Sequence, residues 1–263
     1  MFDSGFGGLT VARAVMDLLP SEDVVYLGDT GRYPYGPRDL NEVRDFARQI
    51  ARHLVESHDV KVVVVACNTA AAAALDVLVD ECPVPVLGVI EPGARALTQT
   101  TVTGRVGVIG TVGTIGSGAY QAAVREAAGD AAVTLTCAAC PGFVEFVERG
   151  ETDSEQAHVL AERLLAPVSD AGVDALLLGC THYPFLARTI GDVMGRDVVL
   201  VSSADETAFA LKALLDDEGL AAPPGGSGKH RWVSTGDAAA FAALGRSLLG
   251  PELDVVEALE WDA

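Results

Sequence analysis

Val62-Val63-Val64-Val65-Ala66-Cys67-Asn68-Thr69 and Ala175-Leu176-Leu177-Leu178-Gly179-Cys180-Thr181-His182 follow one pattern: an apolar strand, a small residue, a cysteine, then small polar residues opening a helical stretch. The two cysteines stand 113 residues apart, at 67 and 180. That separation is too long for a solenoid repeat and suits two similar α/β units facing one another. Neither strand alternates apolar with polar residues. A strand of that kind is buried on both faces, which is the mark of a parallel sheet covered by helices.

The alternation continues outward from this pair. Short β-branched runs recur at 24–27, 86–89, 106–109, 133–137 and 198–201, with helical periodicity between most of them. The clearest helix follows Asp39, where Leu40, Val43, Phe46, Ile50, Leu54 and Val55 share a face and Glu42 stands three residues after the cap. Further helices are expected over 9–19, stopped by Pro20, and over 69–79, 154–169, 204–215 and 237–249. The fold class that follows is α/β.

Composition narrows the function. Of 263 residues, 49% are hydrophobic and 21% charged, enough for a packed interior in one or two globular domains and incompatible with disorder. Lys and Arg total 18 against 37 Asp and Glu, a formal charge of −19, which repels phosphate backbones and anionic lipid and argues against nucleic acid as a partner. No apolar run nears the roughly 20 residues that span a bilayer, and Met1-Phe2-Asp3-Ser4-Gly5 lacks the basic and then greasy stretch of a secretory leader. A soluble cytoplasmic protein is expected. The five cysteines (67, 82, 137, 140, 180) are an odd number in a chain that needs no staples, so a disulfide framework is not. Residues 221–228 read as a flexible surface loop. Gly228-Lys229 fails as a phosphate loop, and Gly5-Phe6-Gly7-Gly8 fails as a dinucleotide fingerprint because Thr10 replaces its third glycine and almost no strand precedes it.

Ligands in open parallel sheets bind beyond the carboxyl ends of the strands, where both Cys67 and Cys180 fall. Each is expected at the amino end of a following helix, whose unpaired N–H groups favour a thiolate. An ordinary thiol titrates near roughly 8.5, so a modest downward shift makes it a usable base. One such cysteine reads most simply as packing; two in matched contexts read as chemistry. His182 stands where it can poise Cys180 or take up a proton. Asp3, Asp29 and Glu148, the last following Phe146-Val147, supply carboxylates at expected strand ends, with helix capping or exposure as the plain alternative. Tyr33-Pro34-Tyr35-Gly36 reads as a rigid turn displaying an aromatic hydroxyl and a free N–H. Thr111 and Thr114 place hydroxyls after another strand, as carboxylate donors or as caps. In so acidic a chain, an anionic ligand is held by neutral donors and helix starts. Cys137-Ala138-Ala139-Cys140 has the spacing of a redox motif or half a zinc site, but none of the five histidines lies near it in sequence and it is expected at the end of a strand. No metal is assigned, and Cys82 is given no role.

Asp3-Ser4-Gly5-Phe6-Gly7-Gly8-Leu9-Thr10, Gly28 to Gly36, Ala66-Cys67-Asn68-Thr69-Ala70, Glu91-Pro92-Gly93-Ala94 and Leu178-Gly179-Cys180-Thr181-His182-Tyr183-Pro184, taken in order, resemble the glutamate racemase family. Ser234-Thr235-Gly236-Asp237, with Phe241 and Leu249-Gly250, is similar to that family's carboxyl-terminal end. The resemblance covers essentially the whole chain. The wider aspartate/glutamate racemase superfamily also keeps paired cysteines; the Pro-Tyr-Gly and Cys-Thr-His segments point to the glutamate branch. One departure is at the start, where only Met1 and Phe2 precede Asp3-Ser4-Gly5: either the start codon is assigned late or the first strand is curtailed.

The resemblance implies a cofactor-independent, metal-free isomerase that interconverts L- and D-glutamate and supplies D-glutamate for peptidoglycan, hence for cell-wall biogenesis and cell shape. It implies two similar, pseudo-symmetric three-layer α/β domains with mainly parallel sheets, residues 1–92 completed by 206–263 and residues 93–205, with the active site in the cleft between them. A homodimer is expected. Cys67 would take the proton from D-glutamate and Cys180 from L-glutamate, with Asp3 assisting Cys67, and Glu148 and His182 assisting Cys180. Ser4, Tyr35, Gly36, Asn68, Thr69, Thr111, Thr114 and Thr181 would hold the carboxylates and amino group. Inversion by proton transfer needs a base on one face of Cα and an acid on the other, which two thiols from facing units supply. On the residues alone, an aspartate racemase, a non-catalytic amino-acid binding module and a thiol oxidoreductase using Cys137 and Cys140 stay open.

Overall fold

Strands without polar alternation pair in parallel here. The computed structural model describes residues 1–253 and 255–261, and each strand pairing among them is parallel. The chain runs β1 (Phe2–Asp3), α1 (Leu9–Leu18), β2 (Val24–Gly28), α2 (Leu40–His58), β3 (Val63–Val65), α3 (Asn68–Glu81), β4 (Val86–Gly88) and α4 (Ile90–Thr100). It continues through β5 (Arg105–Gly110), α5 (Val112–Gly116), α6 (Ala119–Ala128), β6 (Thr134–Ala139), α7 (Phe143–Glu148), α8 (Glu155–Asp170), β7 (Ala175–Gly179), a 3₁₀ turn (Tyr183–Leu186), α9 (Ala187–Met194), β8 (Val199–Ser202) and α10 (Ser203–Asp217). It ends with β9 (His230–Ser234), α11 (Ala238–Leu249) and β10 (Val256–Ala258). Among the described residues no helix is long and apolar enough to cross a membrane.

The strands form a six-stranded sheet, in the order β10-β9-β2-β1-β3-β4, and a four-stranded sheet, β6-β5-β7-β8. The larger sheet draws on both ends of the chain. The boundaries expected at 92/93 and 205/206 fall within α4 and α10, which carry the chain from one sheet to the other and back.

Register sets up the site. Phe2 lies opposite Leu27 and Val65, so the residues after β1, β2 and β3 emerge level with one another. Gly110 lies opposite both Ala139 and Gly179, which brings out Thr111, Cys140 and Cys180 together. β1 has two residues, and Phe2 is fully buried.

Several elements depart from the sequence reading. Glu148 is not at a strand end: it closes α7, whose buried Phe143 and Val147 are spaced four apart, a helical interval. Cys137 lies inside β6 rather than at its end. Cys180 is followed by a turn and a four-residue 3₁₀ helix, not by the first turn of an α-helix, whereas Cys67 is the N-cap of α3, as expected.

The returning C-terminal segment is packed, not appended. Phe241 of α11 is fully buried, stacks on Phe6 with ring centroids 5.2 Å apart and meets Tyr26 at 6.3 Å. Phe241→Ala is therefore expected to destabilise the protein by about 3–5 kcal/mol, read from the shift in its denaturant midpoint; a change below about 1 kcal/mol would show that α11 is not part of the core.

Candidate active site

The strand ends of both sheets open on one cavity of about 650 Å³, counting the free space at its mouth. Ser4, Cys67, Asn68 and Thr69 line it from the larger sheet, and Thr111, Cys140, Cys180, Thr181 and His182 from the smaller. The turn Tyr33-Pro34-Tyr35-Gly36 forms another part of the wall. Among the described residues no Lys or Arg lines it.

Cys67 is held by its position as a cap. Its sulfur accepts from the Ala70 N–H at 3.4 Å and donates to Ser4 Oγ at 3.7 Å, and Ser4 Oγ donates to Asp3 Oδ1 at 3.0 Å. Burial and the charge of Asp3 push the Cys67 thiol up to about 12, outweighing the Ala70 and Ser4 hydrogen bonds. The downward shift expected from the helix start is thus reversed at Cys67, because desolvation of a buried anion costs more than one N–H returns. At neutral pH Cys67 is a protonated thiol.

Cys180 has an imidazole beside it instead of a helix start. His182 Nδ1 lies 4.0 Å from its sulfur, and Nε2 lies 3.7 Å from Glu148 Oε1. Burial pulls the imidazole down, but Cys180, Glu148 and Asp3 together more than offset this and push it up to about 10. The balance favours the protonated imidazole.

The halves are tied across the cavity. Thr181 Oγ1 donates to Asp3 Oδ2 at 3.0 Å, the Tyr120 hydroxyl donates to Asn68 Oδ1 at 2.6 Å, and Thr69 Oγ1 lies 3.0 Å from Thr111 Oγ1 and 3.2 Å from Thr114 Oγ1. The approach is so close that a Cβ on Gly7 would sit 2.4 Å from both Thr181 Oγ1 and His182 Nδ1. The glycine-rich run that fails as a nucleotide motif thus has a steric reason of its own.

Asp3, Thr114 and Glu148 do not line the cavity; each stands behind it and contacts a residue that does. The Tyr35 hydroxyl is not displayed as the turn suggested: it donates to Asp29 Oδ2, although the residue lines the cavity. The Gly36 carbonyl accepts from the Gly113 N–H at 3.0 Å. With Asn68 Oδ1 occupied, the buried Nδ2 has no protein partner and is a donor at the cavity wall. Cys137 and Cys140 pack into different hydrophobic clusters, so their spacing does not join them, and among the described residues no group of three or more His, Cys, Asp or Glu is arranged to hold a metal. Tyr33 and Cys140 also line the cavity, a position the sequence reading gave to neither.

A family model described as Asp/Glu/Hydantoin racemase matches residues 10–211. The chain is 51% identical to a glutamate racemase of Parafrankia sp. (strain EAN1pec), covering 97% of this chain and 92% of that one. Its structure is similar to that of a glutamate racemase isoform of Bacillus anthracis, with a TM-score of 0.92 and 40% identity over 99% of this chain and 96% of the other. It is also similar to a glutamate racemase of Francisella tularensis solved in complex with D-glutamate, with a TM-score of 0.90 and 31% identity over 98% and 96% of the two chains.

The His182 proton has a consequence for stability. An ordinary imidazole titrates near 6.5 and this one near 10, so the folded state gains stability that is complete below about 6.5 and is lost as pH rises through about 10. Denaturant titrations of the wild type and His182→Gln are expected to show a wild-type advantage that shrinks steadily across that window. An advantage that stays flat or grows would mean that the imidazole is neutral.

Proposed function

The chain belongs to the glutamate racemase family, and from that premise we propose that it interconverts L- and D-glutamate by passing the α proton between Cys67 and Cys180. The observation that carries this reading is that both cysteines line one cavity from the ends of strands in different sheets. The D-glutamate found in the Francisella tularensis relative supports the substrate class.

In the L-to-D direction Cys180, as a thiolate, removes the proton from Cα. The electron pair of the broken C–H bond passes into the α-carboxylate, and the Cys67 thiol delivers its proton to the opposite face. The product leaves Cys67 as thiolate and Cys180 as thiol, which is the starting form for the reverse direction. No external oxidant, reductant or cofactor enters the balance. The surroundings of each sulfur suit this exchange. Burial and Asp3 hold the proton on Cys67, making it the resting donor; once ionised it is a strong base, which narrows the gap to the weakly acidic Cα–H. The His182 imidazolium, 4.0 Å from Cys180, supplies charge and a donor to the other sulfur.

Ser4, Asn68, Thr69, Thr111 and Thr181 hold the carboxylates and amino group by neutral hydrogen bonds, in keeping with a wall that lacks Lys and Arg among the described residues. Thr114 orients Thr69 and Thr111 from behind. Tyr35 acts through the turn it anchors on Asp29, which sets the backbone at Gly36. The five free thiols suit a reducing cytoplasm, and supplying D-glutamate for peptidoglycan, as a homodimer, completes the reading.

Incubation with L- or D-glutamate in deuterated water, with nothing added, is expected to erase the circular dichroism of the amino acid while deuterium enters at Cα. Cys67→Ala and Cys180→Ala, each alone, are expected to slow inversion by about 100-fold or more. Near-normal turnover in either variant would remove that cysteine from the reaction, and folded wild type that leaves both signals unchanged would end the racemase reading.

A further inference from the structure

Tyr33 has no part in the reaction as described, yet its side chain stands between the two halves of the site. On one side its ring packs on Gly5, where a Cβ would lie 3.0 Å from Tyr33 Cδ2. On the other its centroid is 6.2 Å from that of the His182 imidazole. The Tyr33 hydroxyl, Glu148 Oε1 and His182 Nε2 are all buried with no closed hydrogen bond, and the last two are 3.7 Å apart. Three polar atoms left in this way are costly unless they serve one another.

Their chemistry fixes the roles. Burial and the facing Glu148 carboxylate push the Tyr33 phenol far above its ordinary range, so it keeps its hydrogen, and an ionised carboxylate can only accept. Glu148 is the last residue of the six-residue α7, and its contact with His182 is longer than a hydrogen bond. A single loose contact does not orient a carboxylate. The turn that carries Tyr33 is itself held by Asp29, which receives both the Tyr35 hydroxyl and Arg32 Nε, so the phenol arrives on a fixed support.

We propose that Tyr33 is a positioning residue for the Cys180 half of the reaction: its hydroxyl donates to Glu148 and aims the carboxylate that holds the His182 imidazole against the Cys180 sulfur. The chain of contacts then runs from the turn of one unit to the acid–base pair of the other, and each unit contributes to aligning the thiol that the other carries. This inference rests on the two-thiol reading above.

Tyr33→Phe keeps the ring against Gly5 and His182 and removes only the hydroxyl. Its kcat is expected to fall about tenfold, the effect of one lost hydrogen bond to a charged group, with KM little changed. The decisive readout is the primary isotope effect with α-deuterated glutamate: it is expected to rise for the L enantiomer, which Cys180 deprotonates, and not for the D enantiomer, which Cys67 deprotonates. Adding Glu148→Gln to Tyr33→Phe is expected to cost far less than Glu148→Gln alone, because both act through one contact. Wild-type kcat and isotope effects in the variant, equal changes for both enantiomers, or additive losses would each overturn the assignment. A Tyr33→Phe protein that melts well below the wild type would do so too, since it would make the hydroxyl structural. These failures concern Tyr33 alone, because the two-thiol reading fails only if the wild type does not exchange the α proton.

Discussion

The carboxylate of Asp3 is fully buried, and both halves of the site are hung on it. One oxygen accepts from Ser4, which touches the Cys67 sulfur, and the other accepts from Thr181, the neighbour of Cys180. A buried carboxylate is tolerated only when its lone pairs are filled, so the chain must bring Thr181 to it from another sheet. β1 carries Asp3 between β2 and β3, and Gly7 leaves the room this needs, since any Cβ there would force Thr181 and His182 away.

Charge is placed with the same economy. The chain carries a formal charge of −19 and is proposed to bind an acidic amino acid, yet no lysine or arginine lines its cavity among the described residues. Hydroxyls, the Asn68 amide and the His182 imidazolium take their place. As the α proton leaves, negative charge grows on the α-carboxylate, so hydrogen bonds to that group that tighten as the carbanion forms favour the transition state. The two sulfurs are made unlike by their neighbours, a carboxylate behind one and an imidazolium beside the other. In the proposed reaction each must serve as acid in one direction and base in the other.

Much of this is legible in the sequence because it is local. Unalternated strands at 62–66 and 175–178 imply parallel sheets, ligands in such sheets lie past the strand ends, and the small polar residues after Cys67 and Cys180 then fall at the cavity. What is not legible depends on contacts far apart along the chain. The Cys67 thiol is pushed upward by burial and by Asp3 standing behind Ser4, which a helix-start argument alone cannot weigh. Of the two tyrosines in the turn, Tyr35 gives its hydroxyl to Asp29 and Tyr33 faces the second unit, and no periodicity separates them. The misplacement of Glu148 is different: Phe146-Val147 suits a strand or a helix, and the interval from Phe143 to Val147 was the available signal for a helix.

A crystal structure of the protein with glutamate bound tests the central claim most directly. The Cys67 and Cys180 sulfurs should lie on opposite faces of the substrate Cα, each about 3.5 Å from it, the reach that proton transfer requires. Both sulfurs on one face, or a glutamate seated beyond the reach of either, would contradict the two-thiol mechanism.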